Sequence, residues 1–396
     1  MQKWPNAIMR LQSHTLDVTD SPISAIYEAL EGHQPRRPRL DVAQAAPSYP
    51  PAPVVREHIA RTASTLAGST YTEVPGMNSL RTAYATDVNL DYGGVLTADN
   101  IVITAGCNQA FCLVVSALAE PDCEVIVPLP YYFNHDMWLK LNGIIPVYLE
   151  PDGDLVPRSS AAESLITSRT RAILLVTPGN PTGVVLPPDE IEAFARLARE
   201  HDVALILDET YRSFRDTTAP AHQLFADVAW LDTVISLHSF SKDLALPGYR
   251  VGAVIGSVEL NREVAKLLDC VAVCAPRIGQ EAAWAGLSHA KEWRVARSRD
   301  ISQQRAWFSK AMAPRPGGFE LLSCGGFFGW LRHPFQDRST DHIVRDLALF
   351  MDTVVMPGTA FLPDDRRLIR ISVGNCDHSA LVDLVQRLEA YSREYS

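Results

Sequence analysis

Between residues 100 and 238, short runs of aliphatic and β-branched residues recur, most of them bounded by polar or Pro/Gly turns. They are NIVIT (100–104), CEVIVP (123–128), IIPVYL (144–149), RAILLV (171–176), VALILD (203–208) and TVISLH (233–238). Continuous apolar runs of this length predict strands covered on both faces. Helix-length segments such as 109–118 and 188–201 separate them. That alternation predicts an α/β architecture with a parallel or mixed sheet. Two helices are expected earlier, over 21–32 and 54–67, with an extended Pro-rich stretch at 47–53 between them.

Past about residue 288 the pattern changes. A long helix is predicted over 291–312, then a strand at 327–331, a helix at 341–350, strands at 353–356 and 368–373, and a helix at 379–391. Helices set apart from a few strands predict a smaller α+β domain. The expected division is a large domain over 50–288 and a small one made of 16–49 with 290–396.

Composition narrows the class without naming a function. The 396 residues are 47% hydrophobic and 21% charged, as in ordinary globular proteins. A net charge of −10 argues against general binding to nucleic acid or anionic membranes. The seven cysteines are an odd number with no CxxC pair, so neither a disulfide framework nor a metal knuckle is expected. The first fourteen residues, MQKWPNAIMRLQSH, lack the apolar core of a signal peptide, and a cytoplasmic protein is expected.

In doubly wound sheets, ligands sit beyond the carboxyl ends of the strands. Gly106, Cys107 and Asn108 follow the first run and lead into a helix. Such a turn is often no more than a connection, but it can also cradle phosphate with free backbone N–H groups. Asn180 stands in TPGNPTG after RAILLV, and Asp208 ends VALILD, with Tyr211 close behind. A carboxylate there needs a partner or hydrogen bonds. Lys242 follows TVISLH among Phe240, Leu244 and Leu246, where desolvation and nearby cations would lower its pKa, as an imine-forming amine requires. Ser239 and Arg250 flank it as anion ligands. Arg370 lies inside LIRIS, where a guanidinium needs an internal carboxylate, a solvated edge or a carboxylate ligand.

Taken in order, ITAGCNQAF, TPGNPTG, LDETY, SFSKDLALPGYRVG and LIRIS resemble the pyridoxal 5'-phosphate (PLP) enzymes of fold type I, specifically the class I/II aminotransferases. The resemblance runs from about Leu40 to the last helix. It implies a seven-stranded, mostly parallel sheet between helices, and a homodimer whose subunits share the active site. It implies that Lys242 holds PLP as an internal aldimine, with Asp208 pairing the pyridine nitrogen and Asn180 and Tyr211 bonding the phenolic oxygen. Gly106, Cys107, Asn108, Ser239 and Arg250 would grip the phosphate, and Tyr132 would stack on the ring. Tyr71 would reach the neighbouring subunit's phosphate, and Arg370 would clamp the substrate carboxylate. No metal is implied.

Three positions depart from the family. Ala45 stands where glycine is common beside the substrate carboxylate, and Cys107 and Asn108 stand where small, hydroxyl or lysine residues are frequent; Cys107 is expected to be an inert packed thiol. His135 is read as structural. The implied reaction moves the amino group of an L-α-amino acid to a 2-oxo acid. An alternative is a PLP-dependent lyase, cyclase or replacement enzyme using the same site. A ligand-sensing regulator is disfavoured, because only about 40 residues precede the family-like region.

Overall fold

The computed structural model describes residues 12–395. The amino-terminal stretch MQKWPNAIMRLQSH, expected not to be a signal peptide, lies mostly outside the described residues.

Thirteen strands are present among the described residues, in chain order β1 (Leu40–Asp41), β2 (Ile101–Thr104), β3 (Glu124–Pro128), β4 (Ile145–Leu149), β5 (Thr170–Val176), β6 (Ala204–Asp208), β7 (Val234–Ser239), β8 (Gly252–Ile255), β9 (Glu320–Gly325), β10 (Phe328–Arg332), β11 (Thr353–Val354), β12 (Met356–Pro357) and β13 (Leu368–Ser372). Seven of them form one sheet in the order β2-β8-β7-β6-β5-β3-β4. Only β8 runs against its neighbours. All six predicted runs are in this sheet; β8 is the addition. Strands β5 to β8 are almost wholly buried, as continuous apolar runs require. Pro146 is tolerated because β4 is the edge strand.

A second, antiparallel sheet has the order β12-β13-β10-β9. The expected single strand at 353–356 is two short ones: β11 pairs with β1, and β12 pairs with β13. The helix expected at 21–32 is Pro22–Glu28, ending before Gly32 at a φ of +77°. The helix expected at 54–67 ends at Ala63. There the Ser64 and Thr65 hydroxyls bond back to the carbonyls of Arg61 and Thr62 (both 2.7 Å), which favours a turn over another helical residue. The long helix Lys291–Met312 has the predicted bounds.

The β2–β8–β7 pairings leave β2 parallel to β7, so β2, β5, β6 and β7 all end at the same edge of the large sheet. β13 brings Arg370 to that edge from the smaller sheet.

Candidate active site

Four strand ends converge on a cleft of about 160 Å3, and Arg370 of β13 reaches its wall through a hydrogen bond to Asn180. Its walls include Cys107, Asn108, Tyr132, Asn180, Asp208, Tyr211, Ser239, Lys242 and Arg250.

Lys242 sits on a single helical turn, Phe240–Asp243. The Ser239 hydroxyl caps that turn by accepting from the Ser241 N–H at 3.2 Å. Burial is the main cause that lowers the Lys242 amine to about 8, and the positive charges of Arg370 and Arg250 add to it. Its Nζ donates to the carbonyl of Ala45.

Asp208 ends β6, and its Oδ1 accepts the Thr210 N–H at 3.0 Å. Its Oδ2 stands 3.4 Å from His135 Nε2. Burial would raise this carboxyl. The proximity of the His135 imidazole and the hydrogen bonds of Thr210 outweigh burial and hold it below its ordinary value. His135, expected to be structural, is packed beside the site. It is a buried neighbour of the acid, wedged between Phe111 (ring centroids 4.2 Å) and Tyr132 (5.0 Å). It lies in the first turn of the helix Phe133–Leu141, three residues after Tyr132.

Arg370 is 2% exposed, held between the rings of Phe328 (4.8 Å) and Phe361 (4.9 Å). One Nη donates to Asn180 Oδ1 at 2.8 Å and the other to the Ala43 carbonyl. Its Nε is buried without a hydrogen-bond partner. Burial pulls the guanidinium down to about 10. Tyr211 is buried against Phe327 and Phe328, and burial pushes its phenol well above the ordinary value. Burial likewise raises Tyr132 to about 12, opposed by a hydrogen bond with Asn108.

The helix after β2 starts at Cys107, two residues earlier than the pattern suggested, so Cys107 and Asn108 belong to its first turn. Gly106 caps it with a φ of +90°. A Cβ there would come within 2.4 Å of the Arg250 guanidinium, so glycine leaves the Arg250 side chain room beside the helix start. Arg250 Nη2 donates to the Ala105 carbonyl at 3.2 Å. Cys107 is a packed thiol, its pKa raised by burial and then by the Asp208 charge. The Ala45 methyl packs on the cluster of Tyr211, Phe327 and Phe328. Tyr71 is the one predicted site residue that lies apart, 75% exposed and outside this cleft.

Around the cleft three cations, Lys242, Arg250 and Arg370, face one carboxylate, Asp208. That balance suits a ligand with more than one negative group. The donor set also fits pyridoxal phosphate: exposed N–H groups with an arginine at a helix start, an amine near neutrality, and an acid on the far side.

The model of the family described as aminotransferase class I and II matches residues 38–388. The chain belongs to that family. Among relatives of this aminotransferase, arginine–pyruvate transaminase AruH of Pseudomonas aeruginosa is 30% identical over 337 residues, 82% of each chain. Aromatic aminotransferase ISS1 of Arabidopsis thaliana is 29% identical over 276 residues, 67% of this chain and 68% of that one. A single mutant of Thermus thermophilus aspartate aminotransferase superposes with a TM-score of 0.87 at 23% identity, over 97% of this chain and 100% of that one. At that identity the superposition speaks for the fold, which is the one the motifs implied. Amino-group transfer is accordingly the activity of this aminotransferase. No helix of the described residues is long and apolar enough to cross a membrane.

Proposed function

We propose that the cleft binds pyridoxal 5'-phosphate and an L-α-amino acid together, and that Lys242 is both the tether and the proton carrier. When bound, the cofactor supplies a pyridinium ring that accepts the electron pair left by removal of the substrate's α-proton. Every other task falls to the chain. The Lys242 amine would tether the cofactor and, once free, would carry the substrate's α-proton as a base. Asp208, steadied by Thr210 and His135, would hold the ring nitrogen in its protonated form. Asn180 and Tyr211 would bond the phenolic oxygen, and Tyr132 would lie against the ring. The first turn at Gly106, Cys107 and Asn108, with Ser239 and Arg250, receives the phosphate. Arg370 receives the α-carboxylate, with the Ala45 segment closing over it.

One observation carries this reading: the Lys242 amine and the buried Asp208 carboxylate line one cleft, and the buried Arg370 reaches it through its hydrogen bond to Asn180, from segments far apart in sequence. The proposal extends to a homodimer in which Tyr71 completes the neighbour's phosphate site, to the two-domain division at about residues 50 and 288, and to a cytoplasmic setting.

The test uses purified protein. Borohydride reduction should fix a cofactor mass on the peptide containing Lys242. Mixing with an L-amino acid, without acceptor, should yield one 2-oxo acid per site. Release of ammonia instead would favour the lyase alternative. A protein that takes up no vitamin B6 would refute both.

A further inference from the structure

Behind Lys242, on the side away from the cleft, lies a lattice of six charged side chains that the reaction does not use. Asp243 directly follows Lys242 and is 3% exposed. Its Oδ2 is 3.2 Å from Arg294 Nη2 and accepts from the Ser213 hydroxyl at 3.3 Å. Arg294, near the start of the helix Lys291–Met312, also grips Asp87 at 2.7 and 3.2 Å. Asp87, on the helix Asn78–Tyr92, takes Arg212 at 2.5 Å. One turn further on, Asp91 takes Arg212 and Arg215, each at 3.1 Å. Three carboxylates balance three guanidiniums. Arg212, Ser213 and Arg215 come just after Tyr211, and the Ser298 hydroxyl donates to the Ser213 carbonyl at 2.7 Å. The lattice thus ties the backbones of Lys242 and Tyr211 to one long helix.

We infer that Asp243 and Arg294 are positioning residues that set the direction of the Lys242 side chain. The argument is mechanical. A four-residue helix has too few internal hydrogen bonds to hold its own rotation. Buried ion pairs add little stability over apolar packing, but removing one member leaves a charge uncompensated, so the surrounding geometry is closely specified. Proton transfer is sensitive to that geometry, since a misplacement of about 1 Å can cost on the order of 100-fold in rate. This inference rests on the proposed role of Lys242.

The test is Asp243→Asn in the full-length holoenzyme, which keeps the shape and one acceptor but removes the charge. Cofactor content should stay at one per chain. The visible circular dichroism of the bound cofactor, which reads its tilt, should change. The kcat should fall on the order of tenfold with KM within about twofold, and the deuterium effect at the substrate α-carbon should rise as proton transfer becomes limiting. In a cycle with Arg294→Gln, the double variant should lose no more than the worse single variant. If Asp243→Asn does not fold, Ser213→Ala and Arg294→Lys perturb the same contacts more gently and carry the same readouts. Unchanged dichroism and isotope effect, with only a lower melting temperature, would overturn the inference and leave the function of Lys242 intact. A wild-type chain without covalently held cofactor would instead remove the reading it rests on.

Discussion

Burial removes part of the proton affinity of Lys242, and the sign of the effect sets a pH dependence. Below about 8 the amine is protonated and cannot attack an aldehyde; above it the amine is free. Uptake of pyridoxal phosphate by chain stripped of cofactor should therefore accelerate as pH rises through about 8, measured by stopped-flow absorbance. Arg370 makes a second prediction. Arg370→Lys keeps the charge but loses the planar fork, so kcat/KM for amino acids should fall on the order of 100-fold while the cofactor spectrum persists. At this scale the sequence was legible where a residue type was costly in its context. A lysine among apolar neighbours, an acid ending a buried strand and an arginine inside one each demanded a partner. His135 was not legible, because its importance comes from touching Asp208, and no local pattern in the chain announces that contact.

Elements were legible in proportion to the length and continuity of their apolar runs. The strands of five to seven residues in the large sheet were all recognisable. β8 was not: it has four residues, GAVI, opens on glycine and is followed by another. β9 was missed for a different reason. Its ELLSCG sequence mixes polar and apolar positions because most of the strand is only half-covered. The TPGNPTG turn was visible, but what it approaches was not. Gly183, at a φ of +73°, lies so close to β9 that an added Cβ would be 2.2 Å from the Gly325 carbonyl oxygen and 2.6 Å from its nitrogen. Gly183→Ala combines that backbone clash with a left-handed conformation. It should destabilise the protein by about 2–4 kcal/mol, read from a denaturant midpoint, and displace Asn180 from Arg370.

Over the whole molecule the charge is −10, yet the cleft is lined by Lys242 and Arg250 against the single acid Asp208, with Arg370 bonded to its wall at Asn180, so the local field opposes the global one. The proposed dimer also belongs to this scale. Tyr71, Leu66 and Val271 are exposed at 75%, 84% and 65%. Arg277, close after Val271 in the chain, donates to the Thr70 hydroxyl at 3.3 Å, which places the two segments side by side. A lone chain leaves this apolar surface in water. Mixing Lys242→Ala chains with Tyr71→Ala chains, each nearly inactive alone, should restore about a quarter of wild-type activity, because half of the dimers are mixed and each mixed dimer has one intact site.

The pairing of β1 with β11 has a further consequence for how the protein comes into being. Leu40 is made before the whole large sheet but finds its strand partner only at Thr353, after that sheet has been made. The seven strands of the large sheet, with Asp208 and the turn that carries Lys242, have all left the ribosome by then, whereas Arg370 and the docked Ala43–Ala45 segment that meets it have not assembled. Domains tend to form in the order they emerge. A nascent chain should therefore complete the large sheet beneath Asp208 and the Lys242 turn first, and bring Arg370 to it last.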